Sequence, residues 1–149
     1  MATAFDVFEH VVEDHAFADA IYARLRPGAH LLVHVPERRW IDPHGVEHRE
    51  ADEDAWRVNP GHVRQGYDPS GMKSLLESAG FEGRLQERWT RRWGARAHDF
   101  YRRVEHPRPL RVLSLPVTDI CAMLDRRRPE SEGNTLFALA RRPDMRIGG

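Results

Sequence analysis

The chain has 149 residues, 40% of them hydrophobic, with a mean hydropathy of -0.65, which suits one globular domain with a modest core. No apolar run approaches bilayer-spanning length, Met1-Ala2-Thr3-Ala4 lacks the basic start of a secretory leader, and Cys121 stands alone. These features exclude a membrane span, an intrachain disulfide framework and a multi-cysteine zinc site, make the cytoplasm the default location, and leave Cys121 as a small core residue. The 23 basic and 23 acidic residues balance, although residues 1–80 hold 14 acids against 8 bases (-6) and residues 81–149 hold 9 against 15 (+6). Because the arginines of the second half are scattered among acids, as on solvated faces, no nucleic-acid partner is expected.

In chain order, Phe5 to Phe8 is a short apolar run that reads as a clipped strand. Asp14 is placed to cap a helix whose apolar residues Phe17, Ala18, Ile21, Tyr22 and Leu25 recur at three- and four-residue spacings, and Pro27-Gly28 stops it. His30 to Val35 is too short and aliphatic for a helix and reads as a buried strand. Strand, helix and strand form a right-handed βαβ unit, which requires a parallel pair. From Pro36 to Gly66 the pattern loses its period, punctuated by Pro43, Gly45, Pro60 and Gly61, as in a long functional loop. Asp68-Pro69 opens the next helix, which buries Met72, Leu75, Leu76 and Ala79. Gly80 ends it in the left-handed conformation, with Phe81 folding back as the apolar contact.

Phe81, Leu85, Trp89 and Trp93 fit a helix stripe or a strand face, and Gly83 favours the strand. Ala95 to Val104 reads as helix, as does Leu110 to Leu124 with a break or kink at Pro116, and Pro107 and Pro109 separate the two. Asn134 to Ala140 is a last buried strand, and Gly148-Gly149 a frayed end.

Three pieces combine into one signature: Phe5-Asp6-Val7-Phe8-Glu9-His10-Val11, Leu25-Arg26-Pro27-Gly28, and His30-Leu31-Leu32-Val33-His34-Val35-Pro36. Together they resemble the fourth strand, following helix and fifth strand of a class I S-adenosylmethionine-dependent methyltransferase. His62-Val63-Arg64, Tyr67-Asp68-Pro69 and Leu75-Leu76-Glu77-Ser78-Ala79-Gly80-Phe81 resemble that family's approach to strand six, and Asn134 to Ala140 its strand seven. Ala29 stands where the family usually repeats glycine, and Gly71 where an acid is common. The resemblance implies an α/β fold, a partial Rossmann-like methyltransferase sheet of strands 4-5-7-6 with flanking helices, so that residues 1–149 form the C-terminal half of the domain.

The family's Gly-rich loop after strand one and the acid ending strand two, which hold the cofactor, have no counterpart in the sequence. The function expected is S-adenosylmethionine-dependent methyl transfer to a small-molecule acceptor in the intact protein, with the chain alone inactive. A degenerate half-domain serving as an interaction module, and one part of a split enzyme, are the alternatives. In the family order 3-2-1-4-5-7-6, strand four pairs with strand one. A naked edge at Ala4 to Phe8 is therefore expected, with Val33 and Val35 exposed, and a homodimer or partner chain to cover the edge.

Ligands of doubly wound sheets sit at strand carboxyl ends where strand order reverses. The resemblance accordingly makes Asp6, Phe8, Glu9 and His10 the cofactor-side residues and His10 the catalytic candidate. Histidine titrates near neutrality and could take a proton from an acceptor hydroxyl. Equally, Glu9 and His10 could orient the loop or touch the cofactor without moving protons. Asp6, Glu9 and His10 also reproduce the D/E-x-x-E-H spacing associated with a divalent cation in the similar ubiquinone-type O-methyltransferases. That spacing is short and often metal-free, so no metal ligand is assigned. His30, His34, His44, His48 and His62 suggest a second metal site, but His30 and His34, although they share a strand face, lie roughly 13 Å apart, too far for one ion, and His44 and His48 lie in the long loop, where exposed histidines are ordinary. Trp40, Trp56 and Tyr67 could line an acceptor pocket or bury the loop against the sheet.

Overall fold

A computed structural model describes residues 1–41, 44, 46–48, 61–90, 92–104, 108–125 and 133–144. Its centre is a four-stranded sheet of β1 (Ala2–Phe5), β2 (His30–Pro36), β5 (Glu82–Trp89) and β6 (Thr135–Arg141), ordered β1-β2-β6-β5. β1 and β2 are parallel, in register from Ala2 opposite Leu31 to Phe5 opposite His34. β6 runs antiparallel to both β2 and β5. This is the order 4-5-7-6 expected of the partial methyltransferase sheet. Among the described residues four helices accompany it: α1 (Asp14–Arg24), α2 (Pro69–Ser78), α3 (Arg92–Val104) and α4 (Arg108–Asp125). A small hairpin of β3 (Trp40–Ile41) and β4 (Glu47–His48) lies within the segment expected to be loop. Pro43, Gly45, Trp56, Pro60, Pro107 and Gly148-Gly149 fall outside the described residues.

One sheet face is dry. Leu31, Val33 and Val35 alternate inward along β2, and Leu136, Ala138 and Ala140 do so along β6. Phe17, Ala18, Ile21 and Tyr22 of α1 and Met72, Leu75 and Leu76 of α2 cover them. The expected exposure of Val33 and Val35 is therefore corrected, since both are fully buried. Strand side chains alternate between faces, and the odd-numbered residues of β2 point at the two helices the chain itself supplies. The opposite face carries the row Phe5, His34, Phe137 and Glu87, with Leu32, Leu139 and Leu85 beside it. Phe5, Leu85 and Trp89 are about half exposed there.

β1 also ends earlier than the apolar run suggested, and the strand edge is Ala2–Phe5 rather than Ala4 to Phe8. Asp6 turns the chain with φ 52°, and Phe8–His10 forms a single 3-10 turn.

The termini of α2 follow local chemistry. Asp68 caps α2 by accepting the Gly71 amide (2.7 Å), with Pro69 in the first turn. At its other end Phe81 N–H donates to the Leu76 carbonyl (3.0 Å) and Gly80 N–H to Glu77 (2.9 Å), the paired bonds of a Schellman ending. Gly80 has φ 93°, and a Cβ there would stand 3.1 Å from the Tyr22 ring, so both backbone and space require glycine. Asp14 is not the cap of α1 as expected; the flanking residue is Glu13, with no side-chain cap. The Asp14 carboxylate instead binds Arg64 and Tyr67. At the C-terminus of α1, Arg142 donates to the carbonyls of Tyr22 and Leu25, both at 2.6 Å.

α3 and α4 pack as a helical hairpin. Asp125, at the end of α4, accepts the amides of Trp93 (3.0 Å) and Gly94 (2.7 Å) and so caps the start of α3. Of the break or kink expected at Pro116, a break does not occur, because α4 continues as one helix through it; a proline deletes one backbone bond that the flanking turns of a long packed helix can outweigh. Cys121 is buried, as its composition suggested.

The α2 cap yields a measurable consequence. The Ser70 hydroxyl and Gly71 amide hold the Asp68 carboxyl below its usual range. Its stabilisation is therefore complete above about pH 4, where the unfolded-state group is ionised, and is lost as pH falls through the lowered value. Asp68→Ala should cost about 1 kcal/mol at pH 7, read from urea midpoints, and the difference from the parent should shrink in acid.

Candidate functional site

The chain leaves β1 through a turn in which each side chain takes a different direction. Asp6, held in the left-handed region, donates its amide to the His34 carbonyl (3.0 Å) and places Oδ1 2.9 Å from His34 Nδ1. Short polar residues tolerate this backbone, and such departures concentrate at functional sites. His34 in turn lies against Phe137 (4.5 Å between ring centroids) and Phe5 (6.1 Å) on the open sheet face. Phe8 points the other way. It is fully buried, edge-on to Phe17 (5.1 Å) and Tyr67 (6.4 Å), so its side chain anchors the turn in the core.

Glu9 is 1% exposed, and its Oε2 has no hydrogen-bond partner among the described residues. Burial pushes the Glu9 carboxyl above its usual range and nearby Asp6 adds to the rise, against the opposing pull of its own backbone amide and of His10 and His34. The next residue, His10, is exposed. Its Nδ1 lies 2.8 Å from the Gly61 carbonyl. A carbonyl only accepts, so Nδ1 carries the proton in that bond and the neutral ring keeps Nε2 as its accepting nitrogen. His62 stands perpendicular to His10 at 4.6 Å between centroids. Burial and the neighbouring His10 push the His62 imidazole below its ordinary value.

The segment from Gly61 to Tyr67 is strapped across this turn. Val63 N–H donates to the Glu9 carbonyl (2.9 Å), and Arg64 donates to the carbonyls of Val11 (2.8 Å) and Val12 (2.9 Å) while its other arm holds the Asp14 carboxylate. The Tyr67 hydroxyl bonds Asp14 (2.7 Å), and burial raises its pKa, partly offset by Arg64. Gly66 lets the strap close, because a Cβ there would come within 2.4 Å of the Pro36 carbonyl oxygen.

The structure therefore rearranges the candidate set. Asp6, Glu9 and His10 do not converge as one triad; among the described residues the converging donor atoms belong to Glu9, His10 and His62, all within 4.8 Å of one another. Asp6 serves His34 instead. Tyr67, a candidate pocket wall, is buried in the core, and Trp40 pairs with His48 in the β3–β4 hairpin. Arg64 and Tyr67 were visible in sequence only as parts of a motif. Their partnership with Asp14 gives that motif its physical meaning.

A family model described as a methyltransferase domain matches residues 1–86. This chain belongs to the methyltransferase-domain family. Solved structures agree on the fold. A Haemonchus contortus phosphoethanolamine N-methyltransferase 2 in complex with S-adenosyl-L-methionine aligns with a TM-score of 0.57 at 15% identity, over 95% of this chain and 33% of that one. The [4+2]-cyclase SpnF aligns at 0.53 and 17% identity, over 96% and 50%. An S-adenosylmethionine-dependent methyltransferase from Mesorhizobium loti aligns at 0.52 and 16%, over 94% and 60%. This chain thus spans between a third and three-fifths of the length of these neighbours. No protein of curated function matches it in sequence. No described helix is long and apolar enough to cross a membrane.

Burial of Glu9 predicts a pH signature. A carboxyl whose pKa is raised on folding binds its proton more tightly in the native state, so stability falls as pH rises from the ordinary carboxylate range through the raised value. Glu9→Gln should match the parent near pH 4 and be the more stable by roughly 1 kcal/mol or more at pH 7, in line with the cost of an unsatisfied buried polar group. Denaturant unfolding at the two pH values checks it.

Proposed function

We propose that this chain is the acceptor-side, C-terminal half of an S-adenosylmethionine-dependent methyltransferase acting on a small molecule. The observation that carries the reading is the turn at the carboxyl end of β1. A parallel strand at the sheet edge ends there, followed directly by Asp6, Glu9 and His10, which supports reading this turn as the ligand side, since doubly wound sheets bind ligands at strand carboxyl ends. The family match over residues 1–86 supports it. Family and fold alone do not fix chemistry, since the neighbour SpnF, with the same fold, is a [4+2]-cyclase.

S-adenosylmethionine supplies, when bound, a methyl group on a positively charged sulfur. The exposed Asp6 carboxylate and the backbone of Phe8 and Glu9 suit the rim of that site. The glycine-rich turn and ribose-binding acid of the family have no counterpart in this sequence, and in this reading they come from a preceding segment or another chain. His10 is the acceptor-side base. Gly61 fixes its tautomer and leaves Nε2 to take a proton as the methyl transfers in line. A chain that completes a split enzyme is the second reading. It is favoured by β1, which pairs only with β2 in the described sheet, and by the half-exposed Phe5, Leu85 and Trp89 on the open face.

Titration calorimetry of the purified chain with S-adenosylmethionine should show no saturable binding in the micromolar range; a micromolar dissociation constant would overturn the half-domain assignment. In protein carrying both halves, His10→Ala should lower turnover by about 10²-fold or more with little change in cofactor affinity. Unchanged turnover would remove His10 as the base. Sedimentation at tens of micromolar, where exposed edges associate, should show the chain alone as a dimer or larger species, and a well-folded monomer would contradict the open edge.

A further inference from the structure

We propose that Glu9, His10 and His62 form a site for one divalent transition-metal ion, with Zn2+ the best-fitting occupant. The proposal rests on side-chain geometry and does not depend on the methyl-transfer reading. One carboxylate oxygen and one imidazole nitrogen from each histidine lie within 4.8 Å of one another. Protein ligands around zinc bind at about 2.0–2.2 Å, so small side-chain adjustments close the set on an ion. The two rings stand at 90° with centroids 4.6 Å apart. That is near the separation of roughly 4.5–5.5 Å expected when two imidazoles share an ion at bonds of 2.0–2.1 Å.

Two observations separate this cluster from ordinary ring packing. The first is Glu9, a carboxylate 1% exposed whose Oε2 lacks any partner among the described residues. Buried charges of this kind are paired or bind metals, and Glu37 shows the paired alternative in the same fold, with Arg88 Nε at 2.8 and 2.7 Å from its two oxygens. The second is His10, whose Nδ1 is tied to the Gly61 carbonyl at 2.8 Å. Metal-ligating histidines are oriented in this way, one ring nitrogen donating to a carbonyl while the other faces the ion. The strap supplies the third ligand. The Val63 amide on the Glu9 carbonyl and the Arg64 bonds to Val11 and Val12 hold His62 beside the turn from more than fifty positions along the chain.

Two imidazoles with one carboxylate suit zinc or iron(II) rather than magnesium or calcium, which favour oxygen ligands throughout. Three protein ligands leave a coordination position for water or an acceptor oxygen. His10 Nε2 cannot both bind the ion and act as a free base. In metal-loaded protein the ion would take over the acidification of an acceptor hydroxyl, and the base role proposed for His10 applies to the metal-free form.

The test uses tag-free, chelator-stripped chain titrated with Zn2+ by calorimetry and with Co2+ by visible absorption. One equivalent should bind with a micromolar or tighter dissociation constant, and Co2+ should give ligand-field bands. Loss of a second-sphere partner alone typically weakens metal sites 10–100-fold, so His62→Ala and Glu9→Gln should each weaken binding by at least about tenfold, with near-ultraviolet circular dichroism confirming the fold. His98→Ala, at an exposed position on α3, should leave binding unchanged. Absence of a one-equivalent transition, affinity unmoved by His62→Ala, or preference for Mg2+ over Zn2+ would overturn the proposal. Because no cofactor or acceptor is present, this outcome stands apart from that of the methyl-transfer assignment.

Discussion

The Arg64–Asp14 ion pair, with Tyr67 against it, is the interaction on which the candidate site depends. Residues 37–68 separate β2 from α2, and the stretch before α2 must dock at a definite place. Arg64 is what docks it: one arm on the Asp14 carboxylate, the other on the carbonyls of Val11 and Val12 just before α1 begins. A planar guanidinium can satisfy several acceptors at fixed angles, which a lysine ammonium could not do here. Tyr67 completes the arrangement by burying its ring on Phe8 and giving its hydroxyl to Asp14. Gly61 and His62 are thereby set over Glu9 and His10, which neither segment could position alone.

The two buried glutamates near the carboxyl end of the sheet show how differently one residue type can be used. Glu37 is enclosed with both oxygens on Arg88, and Arg39 stands at 3.5 Å. It joins the end of β2 to β5 across β6 and is a structural pair. Among the described residues Glu9 has no such cation within bonding reach. Burial pushes its carboxyl above the usual range, and a buried polar atom left without a partner carries a desolvation cost that the Glu37–Arg88 pair avoids.

Much of this architecture is legible in the sequence because it is encoded locally. The apolar spacing of α1, the Asp68-Pro69 start and Gly80 stop of α2, and the alternation of β2 and β6 each depend on neighbours a few residues away. The family order supplied the arrangement of the strands. What the sequence left obscure depends on distant partners. Asp14 looks like a cap, and nothing local reveals that Arg64 claims its carboxylate. Phe8 continues the apolar run of β1, but the left-handed turn at Asp6 sends it into the core. The expectation of exposed Val33 and Val35 assigns their cover to helices outside residues 1–149, whereas α1 and α2 themselves lie on that face, and the half-exposed Phe5, Leu85 and Trp89 are on the face bearing His34. His62 reads as one loop histidine among several until the strap lays it against His10.

The position of β6 has a consequence for how the molecule is made. β6 lies between β2 and β5, and the arginine that follows it closes the end of α1 from 120 positions away. β2 therefore cannot acquire its second neighbour, nor α1 its final carbonyl partners, until nearly all of the described sequence has left the ribosome. Until then β2 offers an unpaired margin between hydrophobic rows. Pairings of such long sequence separation form slowly, and the interval between synthesis of β2 and arrival of β6 is when the nascent chain is most exposed to chaperones and to mispairing.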